Sequence, residues 1–276
     1  LRLPECDSVL AFQLKRLAFS AAFIASSVTL SGCYYISPDD ISTGLASGVP
    51  LADLDTAGSA PDSIALVGPD VIVLTEGAEL DIEVEGDPDV LEKLRFDLDG
   101  RDLVIGREDG WSSKGSATIR VTMPAPSEVT VAGSGTIKAA TIASNAEIDI
   151  AGSGMIDVET IDARSLEVNI GGSGVATGAG TTDDLEVSVA GSGDVRMEQL
   201  IADNVEVSIA GSGDVEVSSN GEVEASIAGS GDVKVFGDAK CTVSSMGSGT
   251  LTCASAKTAA SARKDGSTST TVVVAD

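Results

Sequence analysis

Between Val129 and Cys253 apolar residues recur at every second position, and the alternation is broken at regular intervals by the triplet Gly-Ser-Gly. The triplet stands at 133–135, 152–154, 172–174, 191–193, 211–213, 229–231 and 247–249, so successive copies lie 19, 20, 19, 20, 18 and 18 residues apart. Counting Ala and Cys as apolar, 26 of the 28 positions two and four residues to either side of the triplets are apolar, as in Val187 and Val189 before a triplet and Val215 and Val217 after one. Between them stand polar residues such as Glu186, Ser188, Glu206 and Ser208. A period of two means strands with one dry and one wet face. A fixed longer period means a repeat architecture.

Two arrangements share this alternation. In an antiparallel meander the triplet is a three-residue hairpin loop; in a parallel coil it is a corner, and coils of 18–20 residues stack. Identical turn residues favour the coil, because equivalent positions then lie about 4.8 Å apart and like residues form ladders. In that arrangement Ser134, Ser153, Ser173, Ser192, Ser212, Ser230 and Ser248 are expected to hydrogen-bond up the stack through their hydroxyls. The third coil is odd: Ala176, Gly178 and Gly180 replace large inward residues, which predicts an underfilled or narrower layer. Residues 62–125 lack the triplet and carry Phe96 and Trp111. They are expected to form a β cap that seals one end of the stack, where an open edge would invite aggregation. Residues 254–276 read as a low-complexity tail in which Val272–Val274 can add a last strand.

Composition removes several functions. Lys and Arg total 17 against 43 Asp and Glu, a net charge of −26, so no nucleic-acid partner is expected, because phosphate would be repelled. There is no histidine, which excludes Ser-His-Asp and Cys-His catalysis and histidine metal sites. Of the eight aromatic residues, Phe12, Phe19, Phe23, Tyr34 and Tyr35 sit near the amino end, leaving Phe96, Trp111 and Phe236 for the body. That is too few for an aromatic platform along a sugar or a single nucleic-acid strand.

At the amino end Lys15 and Arg16 precede an uncharged, mostly apolar run from Leu17 to Leu30, which ends in Leu30-Ser31-Gly32-Cys33. The run is too short to span a bilayer as a helix. It resembles the lipobox of bacterial lipoproteins, which implies a signal peptide at 1–32 (with extra residues before the basic pair), cleavage after Gly32 and lipid modification of Cys33. Tyr34 rather than Asp follows, so no inner-membrane retention signal is evident, and the expected address is the cell envelope, lipid-anchored to the outer membrane on its periplasmic or surface face. Residues 33–61, rich in Ser, Gly, Asp and Pro from 34 to about 60 and without a sustained period, read as a flexible tether.

From Val71-Ile72-Val73-Leu74, Leu80-Asp81-Ile82-Glu83-Val84, Gly86-Asp87-Pro88 and Leu103-Val104-Ile105, through Ile119 to Pro124, into the repeated Ala-Gly-Ser-Gly-Asp-Val at 190–195, 210–215 and 228–233, the chain resembles the putative auto-transporter adhesin head, or GIN domain, family. The resemblance covers 62–253 and implies an all-β, right-handed parallel β-helix of about seven coils with no enzymatic residues to carry over. Asp194, Asp214 and Asp232 follow the triplet in three successive coils and are weak calcium candidates, fewer per coil than calcium's six to eight oxygens demand. Cys241 and Cys253 fall on core-facing positions of the last coil, where a disulfide would staple the stack and two free buried thiols would equally fit. No cofactor is expected.

Two functional classes remain. One is a non-enzymatic envelope lipoprotein, structural or adhesive, that meets a cell-surface protein or glycan. The other is a polysaccharide-processing β-helix enzyme, which needs clustered perturbed carboxylates together with a deep groove. Metabolic labelling with a palmitate analogue should mark the wild-type chain and leave a Cys33→Ala variant unlabelled; equal labelling of the two would remove the lipoprotein assignment.

Overall fold

The triplet glycines permit a corner that no other residue can make. In the computed structural model, which describes residues 48–108, 115–253 and the backbone of 272–274, the first glycine of each triplet from Gly133 to Gly247 has a positive φ, +123° at Gly152 for example. A Cβ at Gly152 would lie 2.5 Å from the Gly133 carbonyl oxygen, and one at Gly135 would lie 2.7 Å from that of Gly68. Side chains are therefore excluded twice, by backbone conformation and by the coil underneath. That close approach lets Ser153 N–H donate to Gly133 O at 2.8 Å and Ser173 N–H to Gly152 O at 2.7 Å, and the pattern continues to Ser248 N–H on Gly229 O. The corner ladder thus runs through the serine backbone. Contrary to expectation, no hydrogen bond joins the serine hydroxyls among the described residues; these side chains are exposed to solvent.

Stacked corners set the rest of the chain in parallel register. The strands are β1 (Ser63–Gly68), β2 (Val71–Glu76), β3 (Asp81–Glu85), β4 (Leu94–Asp99), β5 (Asp102–Arg107), β6 (Thr118–Met123), β7 (Glu128–Gly133), β8 (Thr136–Thr141) and β9 (Asn145–Gly152). They continue as β10 (Met155–Gly172), β11 (Val175–Gly191), β12 (Asp194–Gly211), β13 (Val215–Gly229), β14 (Val233–Phe236), β15 (Lys240–Gly247), β16 (Leu251–Cys253) and β17 (Val272–Val274). The pre-corner side stacks β7, β9, the second halves of β10 to β13, and β15. The post-corner side stacks β8, the first halves of β10 to β13, β14, β16 and β17. A short third side joins them, with Ile161 beside Gly180 and Gly180 beside Leu200. The result is a β-solenoid with the seven triplet coils in sequence.

The expected inward positions form its shaft: of the 26 apolar ones all but Val243 are buried, and they join one continuous hydrophobic cluster. The third coil is not underfilled. A Cβ on Gly178 would meet Ile161 Cδ1 at 2.5 Å and Met197 Cε at 3.6 Å, so larger side chains from the coils on either side already occupy that space. Cys241 and Cys253 are joined by a disulfide across the final coil, with Cα atoms 6.7 Å apart.

The N-terminal region is more than a cap, and its stacking order departs from chain order. β1 pairs in parallel with β5 on one side and β7 on the other, while β2 lies between β6 and β8. The coil made by β1 and β2 is thus sandwiched, and the chain reaches its outer neighbour first and returns afterwards. The edges are covered by antiparallel β4 on β5 and β3 on β6, linked by the short α1 (Pro88–Leu91), whose N-cap Asp87 accepts the Asp89 N–H. Phe96 on β4 is buried as expected; Trp111 lies outside the described residues.

One ion pair fixes this crossover. Gly68 is in register with Gly133, so Gly68-Pro69-Asp70 is the corner of a coil that lacks the triplet. Asp70 and Arg107 are both fully buried. Arg107 Nε donates to Asp70 Oδ2 at 2.7 Å and its Nη2 to Oδ1 at 2.5 Å, and Nη2 also reaches the Gly115 carbonyl at 2.8 Å. Ala117 N–H donates to Asp70 Oδ1 at 2.7 Å, tying the entry of β6 to the corner above. Removing one partner of a buried pair strands the other's charge. Arg107→Ala is expected to lower stability by about 3–5 kcal/mol in denaturant unfolding, and Gly152→Ala by about 2–3 kcal/mol through backbone strain; unchanged midpoints would contradict this account.

Candidate functional site

Parallel in-register stacking converts each outward position into a column of side chains, and two columns carry the chemistry. On the post-corner side the column reads Arg120, Val73, Lys138, Asp157, Thr177, Arg196, Glu216 and Lys234 on successive rungs. Arg196 pairs with Asp194 at 2.8 Å and Lys234 with Glu216 at 3.5 Å. Thr177 donates its hydroxyl to Asp157 at 2.5 Å. Lys138 is exposed and makes no ion pair among the described residues. Breaks in register after Val158, Thr177 and Met197 bend the strands at the next corner. They leave a groove of about 810 Å³ with Lys138, Asp157, Glu159, Thr177, Arg196 and Gln199 along it.

On the pre-corner side Glu128, Glu147, Glu167, Glu186, Glu206 and Glu224 occupy one column, rung upon rung. Beside it, in the next outward column, lies Asp149, only 5 % exposed. Burial, then the charges of Glu147, Glu128 and Glu167, push its pKa up to about 7, against the pull of a hydrogen bond from Asn169. Glu128 and Glu147 are also raised, chiefly by burial and then by the neighbouring carboxylates Glu147 and Glu167 respectively. The Asn169 amide bridges Glu147 and Glu167 at 3.3 and 3.1 Å. Sequence reasoning passed over Asp149, although a signal was present. The equivalent positions in the other coils are Thr130, Asn169, Ser188, Ser208, Ser226 and Ser244, and Asp149 is the carboxylate among them.

The groove and the raised carboxylates therefore lie on different sides of the coil. Asp194, Asp214 and Asp232 stand in a third place, just past the corners. There Asp194 Oδ1 accepts the Asp214 N–H at 3.4 Å, Asp214 Oδ1 accepts that of Asp232 at 3.1 Å, and Asp232 Oδ1 accepts the Thr250 N–H and hydroxyl at 3.0 and 2.6 Å. These oxygens terminate the strand ladder, and among the described residues no three metal-ligating side chains converge. Cys33 lies outside the described residues.

Residues 60–239 match the family model described as "Putative auto-transporter adhesin, head GIN domain". Solved structures with the same fold include an adhesin, so termed putatively, from Bacteroides fragilis, with 20 % identity, 72 % of this chain and 94 % of that chain covered, and a TM-score of 0.65. A protein from Parabacteroides distasonis described as a putative lipid binding protein has 23 % identity, 78 % and 93 % coverage, and a TM-score of 0.64. A Parabacteroides merdae protein described as a putative adhesin has 17 % identity, 72 % and 93 % coverage, and a TM-score of 0.55. No curated protein matches the chain in sequence. At these identities the structures establish the fold alone.

A carboxyl whose native pKa exceeds its unfolded value holds a proton in the native state that the unfolded chain has released. For Asp149, raised from 3.8 to about 7, that stabilisation is full below the unfolded value and is lost as pH rises through about 7. Thermal melts are expected to show stability falling by about 2–3 kcal/mol between pH 5 and pH 8, with the slope flattened in Asp149→Asn; a slope that survives the substitution would place its origin elsewhere.

Proposed function

Since the chain belongs to the putative auto-transporter adhesin, head GIN domain family, we propose that it is an exported envelope lipoprotein, anchored through Cys33, whose solenoid serves as a non-enzymatic contact surface for a cell-surface protein or glycan. The observation that carries the non-enzymatic reading is the separation of the two sites. Acid–base cleavage of a glycan needs a raised carboxyl acid beside a second carboxylate, both facing the scissile bond. Here the raised carboxyl, Asp149, is buried on one side of the coil while the groove opens on another. The groove instead offers what a contact surface needs. Along its column, cationic, hydroxyl and acidic groups repeat at about 4.8 Å, over a floor of Leu74, Ala139 and Val158.

The groove carries two cations, Lys138 and Arg196, against three carboxylates, Asp157, Glu159 and Glu198, a mixed lining with a far smaller acidic excess than the chain as a whole. Lys138 supplies the unpaired positive charge. With no aromatic side chain lining the groove, recognition rests on hydrogen bonds and charge rather than ring stacking. The membrane enters through the lipid on Cys33, and the acidic body keeps clear of anionic headgroups.

Labelled protein is expected to bind isolated cell envelopes, with the double variant Lys138→Glu/Arg196→Glu weakening binding by about 10-fold or more, since reversing groove charges costs a few kcal/mol. Binding unaffected by the double variant would remove the groove from the proposal. Depolymerisation of cell-surface glycans by the purified chain would overturn the non-enzymatic reading itself.

A further inference from the structure

The two sides of the solenoid end at different rungs. On the post-corner side β17 lies in parallel on β16, with Val272 beside Leu251. On the pre-corner side no strand among the described residues lies on the outer edge of β15. The shaft is open at that edge: Val243, alone of the inward apolar residues beside the triplets, is not buried, and Met246 is 74 % exposed. A bare edge is a template for another strand, and from Cys241 to Gly247 this one carries no charged residue.

The chain itself holds a strand to place there. Between Cys253 and Val272 stand 18 residues, so Leu251 to Val272 spans 21, enough to circle the shaft once more before β17. Within that stretch Ala254, Ala256, Ala260 and Ala262 alternate with Ser255, Lys257, Ser261 and Arg263, a period of two with a small apolar face. Charge agrees: residues 254–271 carry Lys257, Arg263 and Lys264 against Asp265, an excess of cations in a chain of net charge −26. The side they would join carries Glu206, Glu222 and Glu224 along an open groove of about 340 Å³ that reaches Thr242 at the edge.

We propose that the outer edge of β15 is the docking site of residues 254–271 of this same chain, laid parallel on β15 with Arg263 over Thr242. The register follows from a spacing common to the triplet coils. Every member of the glutamate column, from Glu128 before Ile137 to Glu224 before Val233, stands nine residues ahead of the first inward position past its corner, and Thr242 stands nine ahead of Leu251. Nine residues ahead of Val272 stands Arg263. Thr242 ends the column with a short side chain, so an arginine on the next rung reaches over it to Glu224. The two rungs between them span about 9.6 Å, which extended Arg and Glu side chains cover together. Such an exposed pair sets register more than stability; the ladder along β15 supplies the rest. The segment has no Gly-Ser-Gly triplet, so it enters β17 by another kind of corner, as the coil at Gly68-Pro69-Asp70 does.

Hydrogen exchange of the full chain, read by mass spectrometry across residues 240–247, tests the docking. The β15 amides that point away from β13 are expected to be protected, equally at every protein concentration. Arg263→Glu should speed their exchange by about 5-fold or more, because like charges then face each other across Thr242. Arg263→Glu/Glu224→Lys should restore protection. Arg263→Glu/Glu79→Lys has the same net charge but places the new cation between β2 and β3, and should not restore it. The proposal falls if these amides exchange freely in the wild type, if Arg263→Glu leaves them unchanged, or if the two double variants behave alike. Protection that grows with protein concentration would overturn it as well, by giving the edge to a second copy of the chain.

Discussion

The contact on which everything else rests is the approach of one corner carbonyl to the corner N–H above it, 2.7–2.8 Å between each triplet serine from Ser153 to Ser248 and the first glycine of the triplet below. It closes only if neither flanking residue carries a Cβ. Once it closes, the strands on either side are held in parallel, in-register pairing, and a single conformational requirement at the corner propagates as exact repetition along both adjoining sides. A chain poor in aromatic residues can then fill its interior mainly with Val, Ile, Leu and Ala, because inward residues lie over others of similar size.

The same register has an electrostatic consequence. In a globular sheet the outward carboxylates diverge, but here six glutamates are held in one column at rung spacing. Near the N-terminal end burial adds to their mutual repulsion, and the carboxyls of Glu128, Glu147 and Asp149 retain protons more tightly than usual. On the other side of the coil Arg120, Lys138, Arg196 and Lys234 interleave with acidic and hydroxyl groups. The surface is segregated into an acidic side and a mixed side, and among the described residues no single patch combines a groove with a raised acid.

How much was legible depended on whether neighbours in space were also neighbours in the repeat. The shaft was readable because position two before one triplet stacks on position two before the next; Val187, Val207 and Ala225 illustrate this. The Glu column was equally present in the sequence. What escaped was every feature that joins unlike positions. Gly178 left an underfilled and a narrower layer equally open because the side chains that reach its space, Ile161 and Met197, come from other coils. The serine hydroxyls read as a ladder because side-chain identity was visible and the backbone bonding underneath was not.

The sequence by itself determined the repeat length, the inward face of each strand, the place of each corner and the residues forbidden there, since these follow from local sterics and a period of two. Only the tertiary structure decided that β1 and β2 are sandwiched between β5–β6 and β7–β8, with Asp70 and Arg107 buried together across 37 residues. It also decided that Asp149 is buried while Asp194 is only half-buried. The reason is physical: burial and charge environment are sums over whatever the fold brings near, and the order in which rungs are laid down is set by end-to-end packing rather than by any residue's own preference.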